Sequence, residues 1–262
     1  MKKITIILPI HKLDEDDTIM MANALLSVEP FHNDVILMVV SPSEVKKKLE
    51  SFDFGQKLEV LLVDNDTTDT GFPAQVNLGI DKCETEWFSI LEMDDEYNKQ
   101  WLSMMWEHIN AFPEVDVFLP IVKDINKNGE FVSFTNESAW AYGFSDIQGV
   151  IDNEVLLEYQ NYQTSGGLFR TAVVKDNGKL KENIKLTFTY EFLLRLTHYG
   201  VRIMVTPKVG YLHVNFREGS LFWSYKHDEN NKLSETEVKF WIETAKKEYF
   251  FKNKRDVVYT EV

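Results

Sequence analysis

Short apolar runs alternate with amphipathic stretches through the first half of this chain, and few architectures accommodate that rhythm. Ile4–Leu8, Val35–Val40, Leu58–Val63 and Trp87–Leu91 are too short for helices, are rich in aliphatic residues, and are bounded by polar segments. Each is expected to be a buried strand. The stretch Asp16–Ser27 between the first two has helical spacing, with Ile19, Met20, Ala24 and Leu25 forming its apolar side. Ser41-Pro42-Ser43-Glu44 reads as a helix start: a cap residue, proline at the first helical position, then glutamate at the capping-box position. Strands buried on both faces and separated by helices predict a mostly parallel central sheet with helical layers.

Further along, Asn98 is positioned to cap a helix that carries Trp101, Leu102, Met105 and Ile109 and stops before Pro113. Val115–Val122 reads as another strand, and Asn128-Gly129 as a hairpin turn into Phe131–Phe134. The second half is less regular. Gly166-Gly167-Leu168-Phe169 predicts a strand that another group approaches closely, Tyr190–Tyr199 a helix closed by Gly200, and Val201–Val205 a strand. Ser234 with Glu237 opens a last helix, reaching about Lys252 and followed by a short polar tail. No repeat, low-complexity block or linker divides the 262 residues. The expectation is one domain over residues 1–221, with residues 222–262 a helical extension packed on it.

Composition narrows the function classes. A formal charge of -14 disfavours a general nucleic-acid surface, which needs clustered Lys and Arg, and Lys46-Lys47-Lys48 reads as a solvated helix face. Cys83 is the one cysteine, so no intrachain disulfide forms, and no run is long enough to span a bilayer. A soluble, cytoplasmic protein is expected.

In an open α/β sheet, ligands gather at the carboxyl ends of the strands. Those ends carry Pro9-Ile10-His11, Ser41, Asp64-Asn65-Asp66, and Glu92-Met93-Asp94-Asp95-Glu96. Two such edges rich in carboxylates suit a hard cation such as Mg²⁺ or Mn²⁺. In extended chain Glu92 and Asp94 would point to one side and share an ion, which would neutralise a bound diphosphate. A solvated turn leading into the helix after Asn98 is the plainer reading of the same residues.

Several segments together resemble the family-2 glycosyltransferases of GT-A fold, over about Lys3 to Leu221. Ile4–His11 is similar to that family's opening strand, Gly71–Ile80 to its Asn-x-Gly helix, and Glu92-Met93-Asp94 stands where its metal-binding DxD motif falls. Gly166–Arg170, Glu191–Leu196, Tyr211 and Arg217-Glu218-Gly219-Ser220 resemble its later segments. The resemblance implies a single GT-A type Rossmann-like α/β domain with a small antiparallel hairpin portion. It also implies inverting transfer of a sugar from a nucleotide diphosphate donor to the hydroxyl of an unidentified acceptor: a glycan, lipid or protein. Pro9, His11, Asp64, Asp66 and Asn77 would then contact the donor, and Glu92 and Asp94, with His213 as a third ligand, would hold Mn²⁺ or Mg²⁺.

The chain departs from the family pattern in places. Val76 stands where an arginine usually precedes the Asn-x-Gly asparagine, and Ser41-Pro42 where an aspartate usually follows the second strand. Phe188-Thr189 occupies the position of the usual Glu-Asp base. Glu191 and Asp95 are the carboxylates left to act as base, although Glu191 is also spaced to pair with Arg195 one turn on. A GT-A domain that binds glycans or serves assembly without catalysis is the competing expectation. Trp140 and Tyr142, in a loop, are candidates for a ring-stacking wall.

Overall fold

A computed structural model describes residues 3–215, 217, 218 and 220–253; Gly219 of the closing motif and the polar tail from 254 lie outside the described residues. In chain order the elements are β1 (Ile4–Pro9), α1 (Glu15–Val28), β2 (Val35–Pro42), α2 (Ser43–Leu49), β3 (Val60–Asn65), α3 (Phe72–Lys82), β4 (Trp87–Ile90), β5 (Glu96–Tyr97) and α4 (Trp101–Ala111). There follow β6 (Val117–Ile125), β7 (Phe131–Thr135), β8 (Val150–Ile151), α5 (Asn153–Glu158), β9 (Leu168–Arg170) and α6 (Thr171–Asn177). The chain then forms α7 (Phe188–His198), β10 (Ile203–Val214), α8 (Leu221–His227) and α9 (Glu235–Glu248).

The strands form one mixed, mostly parallel sheet in the order β3-β2-β1-β4-β9-β6-β10-β5, with β7 paired to β6 and β8 to β10. The run β3-β2-β1-β4 is parallel, as is β6 beside β10; β9 runs antiparallel between them. This is the single α/β architecture with the β6–β7 hairpin that the sequence led one to expect. The alternation of side chains divides β1 between two cores. Ile4, Ile6 and Leu8 face α1 and α4, packing with Met21, Leu25, Trp101 and Met105. Ile7 faces the other way, into a core shared with Val76 and Ile80 of α3, Phe192 of α7 and Trp241 of α9. All of β1 is buried.

Two glycines mark close approaches. A Cβ on Gly79 would fall 2.6 Å from Ile7 Cγ2, so α3 lies directly on β1. Gly166 has φ +77 and its Cβ would lie 2.5 Å from the Tyr211 ring, which is the close approach expected for the 166–169 segment.

Tertiary pairing overrides several local signals. Ile19 is 66% exposed, and Met21 and Val28 take its place in the core with Ala24 and Leu25. Ser41 does not cap α2: β2 continues through Pro42, which pairs with Asn65, and α2 begins without a side-chain cap. Ladder bonds to β3 outweigh one cap. Likewise Gln100, not Asn98, precedes α4; the Asn98 carboxamide instead accepts from Gln100 N–H at 3.0 Å in a local turn. β10 runs far beyond the expected Val205 because register shifts after Val205 and Val209 carry it past Pro207. The short elements β5, β8, α5, α6 and α8 have too few residues to show a period.

At the C-terminal end, α9 starts with the expected capping box at Ser234 and Glu237. Its Trp241, Ala245 and Tyr249 belong to the core beneath α7. Among the described residues no helix is long and apolar enough to cross a membrane.

Candidate functional site

The carboxylate run follows β4, where Leu91 N–H still bonds to Ile7 O at 3.0 Å. Beyond it the backbone turns, with Asp95 N–H donating to Glu92 O. The extended geometry that would set Glu92 and Asp94 side by side is therefore absent, and each carboxylate has a separate partner. Glu92 Oε1 accepts from the Ser165 hydroxyl at 2.7 Å, and its N–H donates to the Tyr211 hydroxyl at 3.0 Å. Asp94 Oδ2 accepts from Arg217 Nε at 2.5 Å, while Arg217 Nη1 reaches Asp17 of α1 at 3.5 Å. Asp95 is sealed; its Oδ1 accepts from Val214 N–H at 2.8 Å and its Oδ2 has no hydrogen-bond partner among the described residues.

His213, near the end of β10, completes the group. Its Nδ1 lies 2.9 Å from Asp124 Oδ1, and Asp124 Oδ2 accepts from Ser133 and Thr135 on β7. The carboxylate thereby orients the ring and leaves Nε2 as the nitrogen for a ligand.

Charge is crowded here. Burial, and the charge of Asp94 nearby, push the Glu92 carboxyl up, against the influence of His213 and Ser165. Burial likewise raises Asp95 well above the ordinary aspartate range, with Glu92 and Asp94 adding to it. His213 goes the other way: burial would lower it, but Asp95, the Asp124 hydrogen bond and Glu92 push it up to about 10. For Asp124 burial opposes ionisation, and the bonds from His213, Thr135 and Ser133 more than offset it, so its pKa falls. His11 lies close enough to feel Lys12, Asp17, Arg217 and Asp94; burial first, then Lys12, lowers it.

The structure thus gathers Glu92, Asp94, Asp95, His213 and His11 at one edge, with buried Pro9 ending β1 beneath them. Glu191 and Asn77 are engaged elsewhere. Glu191 is fully buried, with Arg195 Nε and Nη2 at 2.9 and 3.0 Å and Lys181 Nζ at 2.9 Å. That is a correction to its expected role as base: both oxygens are committed to cations and neither reaches solvent. Asp95 is no better placed as base, being enclosed.

Asn77 is a strut, contrary to the donor-contact expectation. It bonds Leu180 O, Leu180 N and Glu182 Oε1, and so ties α3 to the segment that leads into α7. Asp64 accepts from Ser43 Oγ at the exposed end of β3, and Asp66 is exposed in the next loop. Trp140 anchors its loop through Val205 O, leaving Tyr142 fully open beside it.

A sequence model of glycosyl transferase family 2 matches residues 36–177, more than half of the chain. The chain belongs to this family. Among solved structures the chain is similar to S. aureus TarS 1-349 in complex with UDP-GlcNAc, at 19% identity and TM-score 0.64, covering 92% of this chain and 64% of that one. The complex of TarS 1-349 with UDP matches at 18% identity and TM-score 0.62, over 95% of this chain and 72% of that one. Against the longer S. aureus TarS structure the TM-score is 0.60 at 18% identity, with 95% of this chain and only 43% of that chain covered. At such identity the likeness shows the GT-A type fold. No curated protein sequence matches the chain.

Arg217, Asp124, Asp17 and Ser165 are the site residues that local sequence reading did not pick out. Each meets its partner across a large gap in the chain, so no spacing rule points to it. The available signals were the Arg217–Ser220 segment of the family resemblance and Asp124 itself, a carboxylate beside Lys123 at the end of a mostly apolar strand.

Proposed function

We propose that this family-2 glycosyltransferase moves a sugar from a nucleoside diphosphate donor, a UDP-sugar first among candidates, to an acceptor hydroxyl with inversion. The observation that carries the reading is the Asp94–Arg217 pair at the carboxyl end of β4, flanked by Glu92 and His213. Charged groups of both signs meet there, at the edge of the sheet where ligands of open α/β folds gather, and the similar S. aureus TarS 1-349 structure is in complex with UDP-GlcNAc.

A divalent cation, Mn²⁺ or Mg²⁺, suits this donor set. Among the described residues no three His, Cys, Asp or Glu side chains are grouped to hold a metal ion. Such ions need no full cage, because one or two carboxylates together with substrate phosphates suffice. Asp94 and Glu92 would hold the ion, and His213 Nε2 would join them as third ligand only by giving up its proton; the ion, when bound, would neutralise charge on the leaving diphosphate.

The chain's own residues do the rest. Arg217, paired with Asp94, would offer its guanidinium to a phosphate, and the Asp124-held imidazolium of His213 would face the same charge. The acceptor oxygen bonds to the anomeric carbon as that carbon's bond to the diphosphate oxygen breaks. The hydroxyl proton passes to a carboxylate of the 92–96 turn, where Glu92, Asp94 and Glu96 all have exposed surface. The acceptor is a glycan, lipid or protein hydroxyl, and a cytoplasmic setting agrees with the single, buried Cys83.

The test is nucleotide release from UDP-, GDP- and dTDP-sugars with Mn²⁺. Release that Asp94→Asn abolishes supports the reading. No turnover and no donor binding across the panel would sink it. The second reading, a GT-A domain that retains binding without transfer, is favoured by Phe188 at the base position; it predicts UDP binding with no release.

A further inference from the structure

Phe188 stands where the family resemblance expects an acid, and the structure gives it a different occupation. It is buried, and its ring lies between two others: Phe72 at 5.8 Å and 35°, and Phe222 at 6.3 Å and 28°. The three rings come from the first turns of α3, α7 and α8. Phe72 follows directly on the loop from the carboxyl end of β3, so the stack lies on the ligand edge of the sheet. Phe222 sits just past the turn in which Ser220 N–H bonds Arg217 O at 3.1 Å, and Arg217 is the residue that clasps Asp94. The outer ring is 46% exposed.

We infer that Phe222, backed by Phe188 and Phe72, is the platform on which a saccharide acceptor stacks, so that the acceptor of this enzyme is a sugar. The inference rests on the transferase reading above and names its substrate class. A pyranose has an apolar C–H face and a hydroxyl rim, which matches one half-open ring bordered by partly exposed Thr189 and Ser220. A lipid chain needs a long apolar groove. Next to the stack, Leu221 and Phe222 are the exposed apolar side chains of α8, with Tyr225 edge-on at 6.2 Å closing the far side. A protein acceptor would have to supply its own contacts beyond so small a patch. Phe188, itself backed by Phe72, packs against Phe222 and steadies it, and a rigid flat surface at the edge where the donor is proposed to bind is what a specificity-determining contact requires.

The experiment measures binding, so it reads out whether or not turnover is found. Methyl glycosides of glucose, galactose, mannose and N-acetylglucosamine are titrated by ligand-observed NMR into the wild type, Phe222→Ala and Phe222→Trp, each with UDP and Mn²⁺ present. At least one glycoside is expected to bind saturably. Phe222→Ala should weaken it about fivefold to tenfold and Phe222→Trp hold it near wild type. The UDP affinity of all three proteins should agree within about twofold, which also certifies their fold. Glycoside binding indifferent to Phe222→Ala overturns the inference, as does no glycoside binding in a protein that binds UDP. Loss of UDP binding in the wild type would instead strike the transferase reading, and the dependence of glycoside binding on Phe222 would still be read.

Discussion

Glu191→Gln separates a structural carboxylate from a catalytic one. In the native chain Glu191 neutralises Arg195 and Lys181 in a site closed to water, and Lys181 also reaches Glu248 of α9 at 3.6 Å. Arg195 spends its remaining donors on the carbonyls of Asn177, Gly178 and Lys179, each at 2.6 Å. Glutamine keeps the shape but removes the negative charge that Arg195 and Lys181 share, leaving Lys181 with Glu248. Removing one member of a buried ion pair costs about 3–5 kcal/mol. For a chain of this size each kcal/mol lowers Tm by about 2–4 °C, so a fall of about 6–20 °C is expected. Thermal unfolding followed by circular dichroism measures it. Below the new Tm, UDP affinity should match the wild type. An unchanged Tm combined with lost transfer would refute this assignment and return Glu191 to the chemistry.

Gly166→Ala should lower stability by about 2–5 kcal/mol, because a positive φ is costly for alanine and its methyl meets the Tyr211 ring; denaturant unfolding checks it, and a change within error would refute the close approach. His213 gives a pH signature. Its folded pKa is raised from 6.5 to about 10, so the folded state keeps a proton that the unfolded state loses across that window. The contribution is fully present below pH 6.5 and is lost as pH rises through about 10, by up to about 1.4 kcal/mol per unit. The His213 imidazole signal in NMR should not titrate between pH 6 and 8, and Asp124→Asn should bring its midpoint down; a midpoint near 6.5 in the wild type would contradict the Asp124 clamp.

What was readable in the sequence follows from where each element's information lies. The first four strands were legible because both of their faces are covered, which leaves continuous apolar runs with little competing pattern. The last helix was legible because its cap lies within four residues of sequence. Ser41 misled because a cap signal is local while the bonds that carry β2 onward come from β3. Ile19 misled because a helix with apolar residues on several sides does not say which side the sheet will take. At the site the carboxylates of the 92–96 turn were visible, but their partners were not. Arg217 meets Asp94, and His213 meets Asp124, only after the whole sheet has closed. Glu191 shows the converse, a residue at a motif position whose role is set by Lys181 and Glu248 in segments the motif does not include.

The central claim is that Asp94, with Glu92 and His213 beside it, is where a nucleoside diphosphate and its cation bind. Calorimetric titration of UDP into the wild type and Asp94→Asn, each with Mn²⁺ and then with EDTA, tests it most directly. Saturable binding is predicted for the wild type with Mn²⁺, weakened by about tenfold or more when either the ion or the Asp94 carboxylate is removed. UDP binding of equal strength in Asp94→Asn, or no binding to the wild type with Mn²⁺, would contradict the account.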